Sequence, residues 1–182
     1  VNKKKVNYPW SKDLSSKRLV NILYNYEFIN SSSTLEETKF LKKIIYHHMH
    51  RIMLNFSNKK INEITSYDLI AYTLSLFLLR KYEKDKIDFV NYIIEKQIDN
   101  LGMHKSYNVL EHAKFLNNIY ELKNIFLYFD KKVSSKIDQN IIKMTSILNS
   151  YFHVDGSIPL FNGANNNYTK IIYNSLNNDE YL

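Results

Sequence analysis

The sequence predicts an all-α fold, and three observations support this prediction. The chain of 182 residues contains only 3 Gly and 2 Pro, too few for the tight turns of a β-sandwich or β-barrel. No G-x-G-x-x-G or G-x-x-x-x-G-K segment occurs, which excludes the phosphate loops of Rossmann and P-loop proteins. Apolar residues recur at three- and four-residue spacing along most of the chain, the pattern of amphipathic helices.

Three helices are predicted in the first half of the chain. Helix 11–30 has its apolar residues, from Leu19 to Ile29, at helical spacing. A capping box, Thr34 with Glu37 three residues later, predicts the start of helix 35–56, because each side chain can bond the other's backbone N–H. Helix 65–82 is apolar around nearly its whole circumference, so it is predicted to be the most buried.

Three further helices are predicted at 86–100, 106–129 and 135–151, each with apolar residues at helical spacing. Gly102 lies in the break after the first of these and is predicted to be a left-handed C′ residue. Six helices with short connections indicate three antiparallel hairpins, an alternation that is typical of a helical solenoid or toroid.

The character of the chain changes after residue 151. The segment 152–167 contains two of the three Gly and one of the two Pro. Asp155 and Gly156 form a hairpin-turn signal, and residues 157–161 could form a short strand. The sequence therefore predicts a β-hairpin-like loop near the C-terminus.

The formal net charge is +7, and 22 of the 25 basic residues are Lys. With 23 Asn and only 3 Ala, this looks like AT-rich coding bias, which weakens the usual inference that a basic protein binds a polyanion. One interpretation is that the lysines lie on solvated helix faces. The other is that they form a functional anion-binding surface. Nucleic acid would be the default polyanion, but no nucleic-acid-binding motif is visible.

Other function classes are excluded by composition. The absence of Cys excludes disulfides, cysteine-zinc sites, iron–sulfur clusters and thiol catalysis. The longest nearly apolar run, residues 69–79, is too short to span a bilayer, so no membrane span is expected. The basic N-terminal segment leads into no apolar run, so it does not resemble a signal peptide.

Three segments together resemble one protein family. Residues 10–19 (WSKDLSSKRL), residues 97–108 (QIDNLGMHKSYN) and residues 152–163 (FHVDGSIPLFNG) are similar, in this order, to segments of bacterial heparinase II/III-like proteins, particularly the alphaproteobacterial branch. The resemblance implies an (α/α) toroid, of which residues 1–151 would be an incomplete part. Residues 152–182 would then lead toward a β-sandwich domain that this chain lacks, so that the chain is an internal fragment.

The resemblance also implies an activity, because characterised relatives are polysaccharide lyases that cleave uronic-acid glycosides by β-elimination. This reaction needs a group that neutralises the carboxylate, a base that removes the C5 proton and an acid that protonates the departing oxygen. The resemblance points to His104 and Tyr107 as catalytic candidates. It points to His112, His153 and Asn162 as substrate-binding candidates.

Two departures from the family pattern leave alternatives open. No Asn-His pair occurs near residues 66–69, and Tyr107 lies one helical turn before the position expected for the family tyrosine, which is Glu111 here. His104 could instead be a structural histidine or a cap, and His112 a partly buried helix residue.

A metal site is not expected. His47 and His50 share a helix face, but a zinc site needs three or four ligands and no partner is evident. No cofactor is expected either.

The first functional hypothesis is the toroid part of a polysaccharide lyase, with an acidic polysaccharide and the missing β-sandwich domain as partners. The second is a non-catalytic carbohydrate-binding or scaffold domain. A third is a basic helical nucleic-acid binder, but no nucleic-acid-binding motif supports it, so no nucleic-acid partner is expected. The localisation stays unknown, although the resemblance favours the periplasm or cell envelope.

Overall fold

The computed structural model describes residues 12–153 together with Ser157 and Pro159. Trp10, Asp155, Gly156 and Asn162 lie outside the described residues, as does most of the strand expected at 157–161. Residues 168–182, where the sequence could start another helix, also lie outside them. The described residues form seven α-helices and one 3₁₀ turn at Ile61–Glu63. The helices are α1 (Lys12–Tyr24), α2 (Tyr26–Asn30), α3 (Leu35–Ser57), α4 (Ser66–Leu78), α5 (Lys84–Gln97), α6 (Val109–Tyr128) and α7 (Ser135–Ser150).

The prediction of an all-α protein is confirmed for this part of the chain. The described residues contain no strand, and their one isolated bridge joins Ile98 to His104. The capping box at the start of α3 is also confirmed, because Thr34 and Glu37 bond each other's backbone N–H groups. The prediction of one helix at 11–30 is wrong, since Asn25 interrupts it with a non-helical backbone (φ −101°, ψ 16°).

Two helices end with a left-handed residue that is not glycine. At the end of α4, Arg80 has φ 54°, and its N–H and that of Lys81 bond the carbonyls of Phe77 and Leu76. The same arrangement, a Schellman motif, ends α6 at Asp130, which has φ 51°. These turns explain how a chain with 3 Gly can still end its helices sharply.

The chain divides into two compact units, unit 1 up to Tyr82 and unit 2 from Glu83. In unit 1, α4 packs against both α1 and α3. Ten of the 13 residues of α4 are buried, which confirms that it is the most apolar and most enclosed helix of this unit. Phe56 of α3 stacks on Tyr72 of α4 with ring centroids 4.0 Å apart.

Unit 2 contains α5, α6 and α7. Helix α6 packs mainly against α7, and α5 also contacts α7. The core of unit 2 includes the fully buried side chains of Val90, Ile94, Leu116, Phe126 and Met144. The loop between α5 and α6 carries the glycine–histidine segment that the sequence singled out.

Candidate functional site

The loop between α5 and α6 is tied by one aspartate. The Asp99 carboxylate oxygen Oδ1 accepts hydrogen bonds from the backbone N–H groups of Leu101, Gly102 and Met103 at 2.9–3.0 Å. The Asp99 N–H donates to the Met103 carbonyl at 2.8 Å. The loop is therefore a closed, internally bonded turn rather than an extended connection.

Gly102 is required at the tip of this loop for two reasons. Its φ of +101° is one that L side chains rarely adopt. A Cβ atom at this position would lie 2.7 Å from the Cβ of Lys143 and 3.0 Å from its carbonyl carbon. The loop backbone thus contacts α7 directly, and the predicted left-handed conformation is confirmed.

His112 joins the loop to α7. Its Nδ1 accepts a hydrogen bond from the His104 N–H at 3.1 Å, and its Nε2 lies 2.9 Å from the Met144 carbonyl oxygen. Since a backbone N–H only donates and a carbonyl only accepts, the ring is neutral and carries its proton on Nε2. Burial lowers the pKa of His112, and the bond to Met144 acts in the opposite direction.

His112 is fully buried, and both of its ring nitrogens are engaged within the chain. His112 thus links the loop to α7 through both ring nitrogens, an arrangement that we call the His112 brace. It leaves no ring nitrogen to contact a sugar.

His104 has the same tautomer as His112. Its Nδ1 accepts from the Ser106 N–H at 3.2 Å and lies 2.8 Å from the Ser106 hydroxyl. Its ring packs against Phe115, with centroids 5.1 Å apart. Burial lowers the pKa of His104, partly offset by the Glu111 carboxylate, so the ring is neutral at pH 7 and presents an N–H at Nε2.

The other predicted site residues that the structure describes form no side-chain hydrogen bond to His112. Tyr107 has φ 51° and a side chain that is 51% exposed, and its N–H donates to the His104 carbonyl. His153 is exposed, and its N–H donates to the Ser157 carbonyl. Asn162 lies outside the described residues.

A polar cleft of about 470 Å³ opens beside the loop, within unit 2. Its lining comes from the end of α5, the loop and α7: Glu95, Ile98, Asp99, Asn100, Lys136, Gln139, Asn140 and Lys143. His104, Tyr107, His112 and His153 do not line it. Sequence reasoning missed this cleft, although the polar residues of α7 recur at helical spacing from Lys136 to Lys143.

Unit 1 contains a buried polar cluster that sequence reasoning also missed. Asp68 accepts hydrogen bonds from the Lys59 ammonium at 2.7 Å, the Ser16 hydroxyl at 2.5 Å and the Thr65 N–H at 2.8 Å. The side chains of Lys59 and Asp68 are only 3% and 4% exposed. The T-x-x-D spacing of Thr65 and Asp68 signals a capping box, but not the ion pair.

Within residues 12–153, no three His, Asp or Glu side chains come together in a way that could hold a metal ion. None of the helices in this part of the chain is both long enough and apolar enough to cross a bilayer.

Comparisons with known protein families, curated proteins and solved structures found no match.

Proposed function

We propose that unit 2 is a non-catalytic carbohydrate-binding domain whose ligand is an acidic, uronate-containing polysaccharide. The observation that carries this proposal is the polar cleft beside the Asp99–His104 loop. The cleft adjoins the segment on which the resemblance to heparinase II/III-like proteins rests.

The groups lining the cleft suit a sugar acid. The side-chain amides of Asn100, Gln139 and Asn140 can each donate and accept, as sugar hydroxyls require. Lys136 pairs with Glu95 at 3.0 Å. Among the described residues Lys143 forms no ion pair, so its ammonium can meet a uronate carboxylate in a charge-assisted hydrogen bond.

The geometry of His104 and His112 favours binding over β-elimination. A base must offer a lone pair to the C5 proton, whereas the tautomer of His104 places a proton on Nε2. Both nitrogens of His112 are engaged. Of the two catalytic candidates that the resemblance implies, a lyase would therefore have to use the exposed Tyr107 as its base.

We also propose that the chain is part of an (α/α) toroid. Helices α6 and α7 pack against each other and are joined by residues 129–134, and α3 packs against α4 across residues 58–65. Such helical hairpins are the repeating element of a toroid, which supports the proposal.

The test is isothermal titration of the protein with defined oligouronates at low salt. We expect saturable binding that Lys143→Gln and Asn100→Ala each weaken at least about fivefold, because each removes a charge or hydrogen bond worth about 1 kcal/mol or more. Lys132→Gln, an exposed position outside the cleft, is the matched control and should bind normally. Absence of binding, or equal loss in the control, would contradict the proposal.

A parallel absorbance assay at the wavelength of unsaturated uronates distinguishes binding from cleavage. We expect no increase over the titrated range. A catalytic increase that Lys143→Gln abolishes would replace the binding proposal with the lyase hypothesis.

A further inference from the structure

Helix α3 carries an exposed ridge of basic and aromatic residues in unit 1. Lys39, Lys43, Tyr46 and His50 recur at intervals of four, three and four residues, so they lie on one face of the helix. We call these four residues the α3 ridge. The two lysines are exposed, Tyr46 is 50% exposed and His50 is partly exposed.

The ridge lies in a stretch from which acidic residues are absent. Residues 38–62 contain five Lys and one Arg but no Asp or Glu. Over its whole length unit 1 has 14 Lys and Arg against 6 Asp and Glu, whereas unit 2 has 11 against 12. The net charge of +7 therefore arises entirely in unit 1.

Coding bias does not account for this asymmetry. Each unit contains 11 Lys, so any bias toward Lys codons has acted equally on both. What distinguishes unit 1 is that it has half as many acidic residues and contains all three Arg. A stretch that holds cations but no acids concentrates positive potential, which favours the approach of a polyanion.

Aromatic rings accompany these cations. The Tyr46 ring lies 4.4 Å from the His50 ring, centroid to centroid, and 6.0 Å from the His47 ring. Phe40, on the flank of the ridge, is 66% exposed. Exposed rings among cations are the usual platform on which single-stranded bases stack.

We propose that the α3 ridge is a binding surface for single-stranded nucleic acid, with phosphates on Lys39 and Lys43 and a base stacked on Tyr46. This site is distinct from the cleft of unit 2 and goes beyond the carbohydrate binding proposed there. Residues 38–54 contain no Asn, Gln, Asp or Glu, so the ridge lacks the amide and carboxylate groups that line the cleft of unit 2. This composition favours a phosphate chain with stacking bases over a polysaccharide.

The test is fluorescence anisotropy with a labelled oligothymidylate of about 20 nucleotides, titrated at several salt concentrations. The double variant Lys39→Gln/Lys43→Gln should flatten the logarithmic salt dependence by about 1.4, since each phosphate contact contributes about 0.7 for single strands. Tyr46→Leu should weaken binding about fivefold or more, and Tyr46→Phe should not, because it keeps the ring.

The matched control is Lys84→Gln/Lys132→Gln, two exposed lysines of unit 2, which should bind like the unaltered protein. Circular dichroism establishes that every variant is folded. The proposal is overturned if binding is not saturable at low salt or if the control loses as much affinity as the ridge variant. It is also overturned if a duplex or an oligouronate of equal charge binds the ridge more tightly than the single strand.

Discussion

Unit 1 and unit 2 bury polar groups in different ways. In unit 1, the buried Asp68 carboxylate accepts hydrogen bonds from Lys59, Ser16 and Thr65. In unit 2, the buried His112 is a neutral ring whose two nitrogens join a loop to α7. Removing one member of a buried ion pair is costly, because the remaining charge is then buried alone. A buried neutral histidine instead makes the stability of its unit depend on pH. The two units should therefore be sensitive to different perturbations.

The largest effect is expected from Lys59→Met in unit 1. This change leaves the Asp68 carboxylate buried without its cation, which should cost about 3–5 kcal/mol of unfolding free energy. Native-state hydrogen exchange of α4 amides would measure the loss, with the amides of α6 as the reference. Lys60→Met, at the exposed neighbouring position, should change little, and an equal effect of the two substitutions would refute the importance of the ion pair. Adding Asp68→Asn to Lys59→Met should recover part of the loss.

An intermediate effect is expected from His112→Phe in unit 2. The ring volume is largely kept, but the His104 N–H loses its acceptor, at a cost of about 1–3 kcal/mol at pH 7.5. Because burial lowers the pKa of His112 below its value in the unfolded chain, the unfolded chain binds the proton more readily. The stabilisation is thus complete above pH of about 6.5 and declines as the pH falls toward the folded pKa.

The stability gap between the unaltered protein and His112→Phe should therefore narrow between pH 7.5 and pH 5. Urea unfolding monitored by hydrogen exchange of α6 and α7 would measure this gap. A gap that is constant with pH, or that widens at low pH, would contradict the neutral-brace interpretation.

The smallest expected effect is an increase in unfolding free energy from one glycine substitution in each unit. Arg80 and Asp130 hold left-handed conformations at equivalent positions of two Schellman motifs, where a side chain costs about 1 kcal/mol relative to glycine. Arg80→Gly and Asp130→Gly should each raise the unfolding free energy of their own unit by about 0.5–1 kcal/mol. Thermal and urea denaturation would detect this increase, and a loss in either variant would show that the side chain has another role.

The features that could be predicted from sequence are local. Helical spacing of apolar residues indicated the all-α fold, and the capping box at Thr34 and Glu37 needed only four consecutive residues. The positive φ of Gly102 was predicted from its place after a helix, but its position as the C′ residue was wrong, because α5 ends at Gln97 and Gly102 lies in the following loop.

The features that escaped prediction depend on residues far apart in the chain. Ser16 meets Asp68 across 52 residues, and His112 meets Met144 across 32. The polar cleft likewise combines Asn100 with Lys143. No single-sequence pattern encodes such pairings, which arise from how helices pack. The hydrogen bonds of His112 to the His104 N–H and the Met144 carbonyl illustrate this limit.

The most direct test of the account is chemical-shift mapping of isotopically labelled protein, titrated separately with an oligouronate and with an oligothymidylate. We predict that the oligouronate shifts the amide and side-chain signals of Asn100, Gln139 and Lys143 in unit 2. The oligothymidylate should shift those of Lys39, Lys43 and Tyr46 in unit 1. Shifts from both ligands at one common surface, or no shifts at the cleft on addition of oligouronate, would contradict the assignment of separate ligands to the two units.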